Sequence, residues 1–407
     1  MTSGEQPMIL DVEGKDIQGE GARLRERGPA TLVELAGSVR VWAVGGYSSL
    51  RQILSDPRVS RNANLHWSAW KRGEIPEDWP LRIWATVQNM GNAYGGEHRR
   101  LRGPVAAAFT GHRTAALRPR IERITAGLLD TVAAQPSCEP VDLRKLLAHP
   151  LPVAVISELF GVPEQLRFRL RRTVDVSFDT GATPQQIHAS IAEMFELLNE
   201  LVAIKRDNPG EDLTSALINA SAGDDGTFTE AELVDTLSLM MVAGHDTTAN
   251  LLDQALTAML THPDQLDLVR GGQRPWSDVI EETLRWQAPI PYLPLRYAVE
   301  DLDLGGITIA QGEAILAAYA SAGRDRDQYG DTADIFDITR PGKQHLSFGH
   351  SVHHCVGAAL ARLEAEIALA SVFARFPDLA LAVAPDELTP SRSFLSNGHT
   401  GLPVNRQ

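Results

Sequence analysis

The sequence predicts a mainly α-helical fold with small β-sheets, an α+β class. Helical hydrophobic spacing dominates the chain after residue 45, and short β-branched runs bounded by turn residues appear before it and in two later patches. The 407 residues carry a formal net charge of −14, with 43% hydrophobic and 22% charged residues. That balance is typical of a folded globular protein, and it excludes a collagen-like chain, low-complexity disorder and a basic nucleic-acid-binding arm.

A single domain is expected to span residues 1–407. The length exceeds the roughly 250–300 residues at which one hydrophobic core usually stops growing. However, loop-forming residues cluster only at 208–210, 223–226 and 271–275. These clusters are typical of connections between helices, and each is too short to separate two domains.

Three patches of short strands are predicted. The first is a hairpin of Thr31–Leu35 and Val39–Val44 around an Ala-Gly-Ser turn, since both runs are rich in β-branched residues. The second lies around residues 295–315, where the run 303–309 contains a Gly-Gly turn, and the third lies near the C-terminus.

One long helix is predicted over residues 229–260. Thr229 followed by Glu232 indicates a capping box at its start, and Pro263 marks its end. Leucine, methionine and alanine recur through it at helical spacing, in a stripe wide enough for a helix that is buried on most sides. A helix of about 30 residues crosses a whole molecule of this size.

Neither a membrane span nor a secretory signal is predicted. The most apolar stretch, residues 146–162, is interrupted by a histidine, two prolines and a glutamate, whereas a bilayer crossing needs about 20 apolar residues. The N-terminal residues lack a basic segment followed by an apolar block. The two cysteines, Cys138 and Cys355, are too few for a disulfide framework. We therefore expect a cytoplasmic location.

The middle of the long helix, residues 243–248 (AGHDTT), is poor helix-forming sequence. Gly244 alone costs about 1 kcal/mol relative to alanine. Because the Thr247 hydroxyl can donate to the Ala243 carbonyl and Gly244 lacks a side chain, we expect a bend and a groove that Asp246 and Thr247 face. An ordinary interior turn bearing hydroxyl side chains is the alternative.

Residues 282–285 (ETLR) place Glu282 and Arg285 on one face of a helix for which Ser277 is the predicted cap. Exposed pairs of this kind are common and contribute only about 0.3–0.5 kcal/mol. A solvated ion pair is therefore the alternative to a functional or structural motif.

Cys355 lies in the loop 348–357 (FGHSVHHCVG), immediately before a helix predicted over residues 356–376. Main-chain N–H groups at a helix start stabilise a thiolate, which suits a metal ligand, and the flanking glycines let the backbone approach a flat ligand. Zinc is the alternative, because His350, His353 and His354 lie beside Cys355. It is disfavoured because no Cys-x-x-Cys or His-Glu-x-x-His motif is present and adjacent residues rarely complete a tetrahedron.

Together these segments resemble the motifs of the cytochrome P-450 family, the haem-thiolate monooxygenases, in the same order across nearly the whole chain. In that family the long helix carries Ala/Gly-Gly-x-Asp/Glu-Thr, a later helix carries Glu-x-x-Arg, and a cysteine loop follows. The matching residues are Ala243, Gly244, Asp246, Thr247, Glu282, Arg285 and Cys355. The resemblance implies the cytochrome P-450 fold, with haem between the long helix and the cysteine loop.

The resemblance also implies roles for the site residues. Cys355 is implied as the axial thiolate ligand of haem b, with O2 as co-substrate. Asp246 and Thr247 are implied to deliver protons, and Glu282 and Arg285 to support the fold behind the cysteine loop. The residues implied to bind the haem propionates are His98, Arg102, Arg296 and His353.

Two residues depart from the family pattern. Ser351 stands where the cysteine loop usually has glycine, so we expect an altered approach of the backbone to the haem there. Pro104 follows His98 and Arg102 in a predicted helix, where an interior proline costs about 3 kcal/mol. We expect a kink or break at Pro104.

The implied activity is insertion of one oxygen atom from O2 into a bulky, mainly apolar small molecule, because the sequence looks most like actinobacterial natural-product hydroxylases. Macrolides, steroids and cyclic dipeptides are the substrate classes implied. Oxidative C–C or C–N coupling by the same haem chemistry is the alternative. A haem-binding sensor without turnover is a further alternative, which would not need Asp246 and Thr247.

Substrate contacts are expected from the family's lid and pocket segments. Four tryptophans lie in the lid segment and indicate a bulky apolar guest, unless their rings pack the lid onto the body. They are Trp67, Trp70, Trp79 and Trp84. The other pocket segments implied are residues 91–93, 290–295 and 394–399.

Electrons are expected from separate proteins, because the sequence lacks a flavin or nicotinamide fingerprint. By family analogy these are a ferredoxin and its reductase. Seven arginines lie between His98 and Arg123 against one glutamate, and Arg99, Arg100 and Arg113 among them are expected to steer an acidic partner. A solvated helix face is the alternative.

Overall fold

The computed structural model describes residues 6–178, 183–221 and 228–406. Most of this part of the chain is helical, with small sheets, which confirms the predicted fold class. The loop predicted at 223–226 lies outside the described residues. The helices are α1 (Ile17–Glu26), α2 (Tyr47–Ser55), α3 (Ala63–His66), α4 (Ser68–Lys71), α5 (Ile83–Thr86), α6 (Gly95–Ala108), α7 (Gly111–Ala116), α8 (Arg118–Ala133), α9 (Pro150–Leu159), α10 (Glu164–Phe178), α11 (Pro184–Asp207), α12 (Leu213–Ser221), α13 (Glu230–Thr261), α14 (Pro263–Arg270), α15 (Trp276–Trp286), α16 (Tyr319–Gly323), α17 (Arg326–Tyr329) and α18 (Ala358–Arg375). The strands are β1 (Met8–Ile9), β2 (Thr31–Leu35), β3 (Val39–Val44), β4 (Val59–Ser60), β5 (Val141–Asp142), β6 (Tyr292–Ala298), β7 (Leu302–Leu304), β8 (Ile307–Ile309), β9 (Ala314–Ala318), β10 (Ala380–Leu381) and β11 (Pro403–Asn405).

The largest sheet has the strand order β1-β2-β3-β9-β6-β4. Its β2–β3 pair is the predicted N-terminal hairpin, and the turn places Gly37 and Ser38 at φ of 72° and 58°. Strand β4 pairs antiparallel with β6, so that Ser60 lies opposite Tyr297. This pairing brings the segment that follows β4 beside the middle of β6.

Two smaller sheets match the other predicted patches. Strands β7 and β8 form a hairpin whose turn residues, Gly305 and Gly306, both have positive φ, of 60° and 87°. Near the C-terminus, β11 pairs with both β10 and β5, so this sheet joins two distant parts of the chain.

Helix α13 runs through the core, as its hydrophobic pattern predicts. The Thr229 hydroxyl accepts a hydrogen bond from the Glu232 N–H, and the Glu232 carboxylate accepts one from the Thr229 N–H at 2.7 Å. The helix ends at Thr261, just before Pro263 starts α14. It packs against α9, α11, α15 and α18, which explains why most of its residues are buried.

Two local predictions are wrong, and a third is wrong in part. Helix α6 continues through Pro104 to Ala108, which excludes the expected break, while the alternative of a kink stays a prediction. Helix α15 begins at Trp276 with Pro275 at the N-cap position, so Ser277 is not the cap. Helix α18 begins at Ala358, which leaves Cys355 three residues before it rather than directly at its start.

Glu282 and Arg285 form a fully buried ion pair, which rules out the solvated alternative. Arg285 donates to both oxygens of Glu282, at 2.7 and 2.8 Å. It also donates to three main-chain carbonyls, those of Gly323, Ala333 and Ile335. On the same helix, the Leu284 carbonyl accepts a 2.5 Å hydrogen bond from the Ser347 hydroxyl. Because Ser347 precedes the cysteine loop, α15 anchors the start of that loop.

The hydrophobic core is made chiefly by α13 and the elements packed around it, and a further part lies under the large sheet. Among the helices of the described ranges, none is both long enough and apolar enough to cross a bilayer.

Candidate active site

The cysteine loop folds back on itself through two residues with positive φ, Gly349 (71°) and Ser351 (59°). The Cys355 N–H donates to the Phe348 carbonyl at 2.8 Å and closes the loop. A Cβ at Gly349 would lie 3.2 Å from the His353 carbonyl oxygen, so a side chain there would crowd the loop. Ser351 adopts the left-handed conformation that suits glycine, and the expected change in the approach of the backbone to haem stays a prediction.

Cys355 faces an internal cavity, to which its side chain is exposed. Burial within the protein raises the pKa of its thiol, whereas the N–H groups of Gly357 and Ala358 and the charge of Arg102 act in the opposite direction. The N–H groups therefore favour a negative sulfur, whereas burial opposes ionisation, and a positively charged partner at the sulfur would favour the thiolate. A bound metal ion would supply that partner.

The cavity lies between α13 and the cysteine loop. Ala243, Gly244 and Thr247 of α13 line it, as do Phe348 and Cys355 of the loop. A Cβ on Gly244 would lie 2.9 Å from the Ile156 side chain of α9. Gly244 therefore allows α9 to pack closely. Helix α13 is continuous through this position, and the expected bend stays a prediction. Most of the remaining wall is apolar, contributed by Met90, Phe109, Leu159, Phe160, Leu239, Met240, Leu251 and Leu293.

Thr247 has the predicted geometry. Its hydroxyl donates to the Ala243 carbonyl at 2.7 Å, which satisfies the proton of this hydroxyl inside the helix. The oxygen remains at the cavity wall and keeps acceptor capacity for a water or ligand.

Asp246 does not face the cavity, and this corrects the expectation that it shares a groove with Thr247. Its Oδ2 accepts hydrogen bonds from Ser396 at 2.8 Å and from Asn250 at 2.9 Å, and Arg144 lies 4.0 Å from its Oδ1. Burial raises the pKa of Asp246, while Ser396 and Arg144 lower it. The carboxylate is thus held in a polar network behind α13.

Five basic side chains lie together beside the cavity, and we call them the basic cluster. Its members are Arg61, His98, Arg102, Arg296 and His353. The His98 and His353 rings lie 4.1 Å apart between centroids, and the other three residues and His353 line the cavity. Four of the five were predicted as a group, and the structure brings all four together.

The basic cluster has donors but few acceptors. Burial, followed by the charges of neighbouring arginines, lowers the pKa of His353 to about 2 and that of His98 to about 4, so both rings are neutral at neutral pH. Arg61 Nε, His98 Nε2 and Arg296 Nη1 are buried and, within the described part of the chain, have no hydrogen-bond partner. Buried donors and charges of this kind are normally paired, so the basic cluster fits an anionic ligand.

The family model of cytochrome P-450 matches residues 175–271 and 276–393. The chain belongs to the cytochrome P-450 family. Among curated relatives, 2-hydroxy-5-methyl-1-naphthoate 7-hydroxylase of Streptomyces carzinostaticus is 42% identical over 400 residues, which are 98% of this chain and 97% of that protein. The 6-deoxyerythronolide B hydroxylase of Saccharopolyspora erythraea is 38% identical over 391 residues, 94% of each chain. The solved structure of CYP154A1 from Streptomyces coelicolor A3(2) has a TM-score of 0.91 and 49% identity, and the match covers 98% of this chain and 100% of that one.

The family implies a haem held by a cysteine thiolate and the use of dioxygen, and this P-450 is accordingly an oxidoreductase. The residues present fit that group. The cavity combines a cysteine that needs a metal partner, a loop with a glycine where a Cβ would crowd, and buried donors that need an anion. The zinc alternative lacks its ligands, since no three His, Cys, Asp or Glu side chains of the described residues are placed to share an ion.

Arg61 of this P-450 was not identified from the sequence. A lone arginine carries no periodic or motif signal, and Arg61 becomes part of the site only because β4 pairs with β6, which carries Arg296. The pKa of Arg61 falls to about 10, because of burial first and the charge of Arg296 second.

The lid tryptophans pack on the body of this P-450. Trp67 is 2% exposed and stacks on Trp70 and on Tyr297 of β6, while Trp79 is 3% exposed and donates to the Ala36 carbonyl. None of the four tryptophans lines the cavity, which favours the alternative that they pack the lid onto the body, and their contact with substrate stays a prediction. Of the other predicted pocket segments, Gly91, Ile290 and Leu293 do line it, whereas the turn 394–399 instead supplies Ser396 to Asp246.

The arginine-rich segment is only partly a free basic surface. Arg99 and Arg113 are exposed. Arg100 instead donates to Glu97 and Glu232, both at 2.5 Å, which neutralises its charge. Arg102 belongs to the basic cluster and donates to the His354 carbonyl at 2.5 Å.

Proposed function

We propose that this P-450 is a monooxygenase that inserts one oxygen atom from O2 into a bulky, mainly apolar natural product. The observation that carries the proposal is one cavity lined by Cys355, Thr247 and four members of the basic cluster, with largely apolar walls elsewhere. Hydroxylation is the activity that the relatives' names support.

The residues that would hold haem b are those of the cavity. Cys355 would bind the iron as a thiolate, with the N–H groups of Gly357 and Ala358 supporting its negative charge. Arg102, Arg296 and the two imidazoles would bind the propionates. Bound haem would supply an iron centre that activates dioxygen.

Thr247 is proposed to hold a water molecule at the cavity wall. Its oxygen keeps a free lone pair while the hydroxyl donates to Ala243, and rotation of the side chain would turn the proton toward the cavity. Asp246 would connect that water with the polar network behind α13, after turning away from Ser396 and Asn250.

The substrate class follows from the cavity wall and the relatives. Aliphatic, methionine and phenylalanine side chains dominate the wall, which suits an apolar ring system. One relative is named for a naphthoate and another for 6-deoxyerythronolide B. We therefore favour aromatic acids and macrolides, with steroids and cyclic dipeptides as the other predicted classes.

Oxidative C–C or C–N coupling is the alternative reaction and would use the same site. Product analysis distinguishes the two reactions, since only hydroxylation adds an oxygen atom.

The donor of electrons is proposed to be a ferredoxin that docks near Arg99 and Arg113, since both guanidinium groups are exposed and Arg100 is neutralised. Reversing the charge at either residue should slow reduction by a ferredoxin and weaken its dependence on salt. Arg206→Glu, at an exposed arginine of α11, is the control. An unchanged rate in both variants would remove this surface from the proposal.

Two further expectations from the sequence stay predictions. They are that the chain forms one catalytic domain and that the protein is located in the cytoplasm.

The carbon monoxide difference spectrum of the reduced protein tests the haem ligand. A thiolate-bound haem gives a characteristic red-shifted band, which Cys355→Ser should abolish and Cys138→Ser, at the other free cysteine, should leave intact. If Cys355→Ser keeps both the band and its catalytic turnover when an electron donor is added, the proposed function fails. Candidate substrates are then titrated and their products analysed for one added oxygen atom.

A further inference from the structure

Arg61 is a buried guanidinium at the cavity wall, and no carboxylate of the residues that the structure describes pairs with it. It is 8% exposed and follows β4 directly. Its Nη2 donates to the Pro294 carbonyl at 3.4 Å, and its Nε has no partner among the described residues. The groups whose charges act on it are Arg296, Tyr319 and Tyr297, and none of these is a carboxylate.

A second buried arginine, Arg296, lies beside Arg61, and the repulsion between the two charges is unfavourable without a ligand. Arg296, 3% exposed, lies close enough to lower the pKa of Arg61, and its Nη1 is also unpaired within the described ranges. Arg61, Arg102 and Arg296 line the cavity together, and their guanidinium groups carry permanent positive charge. Three guanidinium groups at a largely apolar cavity require anionic partners.

We infer that Arg61 binds a carboxylate that enters this cavity with its ligand, either a haem propionate or an acid group of the organic substrate. The inference rests on the proposed haem site. A guanidinium binds a carboxylate through two parallel N–H donors, and Arg61 offers an unpaired Nε beside a weakly bonded Nη2. Two propionates would leave one of the three guanidinium charges for a third anion, so both sources fit the charge of the site.

The test compares the holoenzymes of the wild type, Arg61→Gln and Arg61→Lys. Arg58→Gln is the matched control, because Arg58 lies three residues earlier, is exposed and pairs with Asp56 at the surface. The first measurement is the rate of haem transfer to excess apomyoglobin. The second is spectral titration with 2-naphthoate and with its neutral analogue 2-naphthamide.

If Arg61 binds a propionate, haem transfer becomes about tenfold faster in Arg61→Gln, since a buried charge-assisted hydrogen bond is lost, and Arg61→Lys is intermediate. If Arg61 binds a substrate acid, haem transfer is unchanged and the Kd for 2-naphthoate rises about tenfold, while that for 2-naphthamide does not. Either result supports the inference, and the two results identify the source of the carboxylate.

Unchanged haem transfer together with unchanged naphthoate affinity would overturn the inference. If Arg61→Gln does not accumulate as a holoenzyme, the comparison of Arg61→Lys with the wild type is the test. Lysine keeps the positive charge but lacks the two parallel N–H donors of the guanidinium. A wild-type protein without the thiolate carbon monoxide band would count against the proposed function itself and not against Arg61.

Discussion

The hydroxyl of Ser396 donates a 2.8 Å hydrogen bond to Oδ2 of Asp246, which lies 150 residues earlier in the chain. The same carboxylate oxygen accepts from Asn250. A turn near the C-terminus therefore holds the side chain that we propose as a proton relay. Burial raises the pKa of Asp246, and the Ser396 hydrogen bond opposes that rise.

Replacing Ser396 tests whether its hydrogen bond lowers the pKa of Asp246. In Ser396→Ala the carboxylate loses a donor, so the pKa of Asp246 should rise, and the pH at which the relay loses its proton should move upward. The measurement is product formed per NAD(P)H consumed as a function of pH. Ser393→Ala, in the same turn, is the control, since the Ser393 hydroxyl accepts from the Leu395 N–H instead. Superimposable pH profiles for Ser396→Ala and wild type would contradict the proposed effect of Ser396 on Asp246.

The Thr247 hydroxyl is expected to determine how efficiently reducing equivalents become product. Thr247→Ala should still bind haem but should release peroxide, with product per NAD(P)H falling about tenfold or more because a positioned proton donor is lost. Thr247→Ser keeps the hydroxyl and should retain most of the coupling. Equal coupling in the alanine and wild-type proteins would exclude the proposed role.

Glu364 of α18 predicts a pH dependence of stability. It is 2% exposed, its Oε2 has no partner within the described residues, and burial raises its pKa to about 8 from the ordinary 4.5. The folded protein thus holds a proton that the unfolded chain has lost over this pH range. The stability contribution of Glu364 is complete below pH 4.5, and it is lost as the pH rises through about 8.

Glu364→Gln should remove that dependence. The free energy of unfolding of the wild type should fall relative to the variant by up to about 1.4 kcal/mol per pH unit inside the window. Denaturant unfolding at several pH values measures the difference. Parallel curves for the two proteins would show that Glu364 does not titrate as described.

Ser351 is the clearest site for a stabilising change. Its φ of 59° is unfavourable for a residue with a Cβ, so Ser351→Gly should raise the free energy of unfolding by about 0.5–1 kcal/mol after allowing for the greater freedom of glycine in the unfolded chain. Ser38, with φ of 58° in the β2–β3 turn, is a matched position remote in sequence from the cysteine loop. Thermal unfolding of both glycine variants tests this, and a loss of stability in Ser351→Gly would contradict it.

Predictions from local patterns were confirmed where neighbouring residues decide the outcome. The Thr229 and Glu232 capping box and the Thr247 hydrogen bond to Ala243 each join groups three or four positions apart. Helix geometry brings such groups together whatever the rest of the chain does. Pro104 shows the limit of this reasoning, because α6 continues through it despite the lost hydrogen bond.

The sequence by itself determined the helical class, the long central helix, the strand hairpins and the motif residues Cys355, Thr247, Glu282 and Arg285. Only the tertiary structure decided that the Glu282–Arg285 pair is buried, that Asp246 turns toward Ser396, that Trp67 of the lid packs on β6, and that Arg61 joins the basic cluster. The physical reason is that burial and unpaired charge depend on which distant segments meet. A single residue such as Arg61 or Ser396 carries no local signal of the surface against which it will be desolvated.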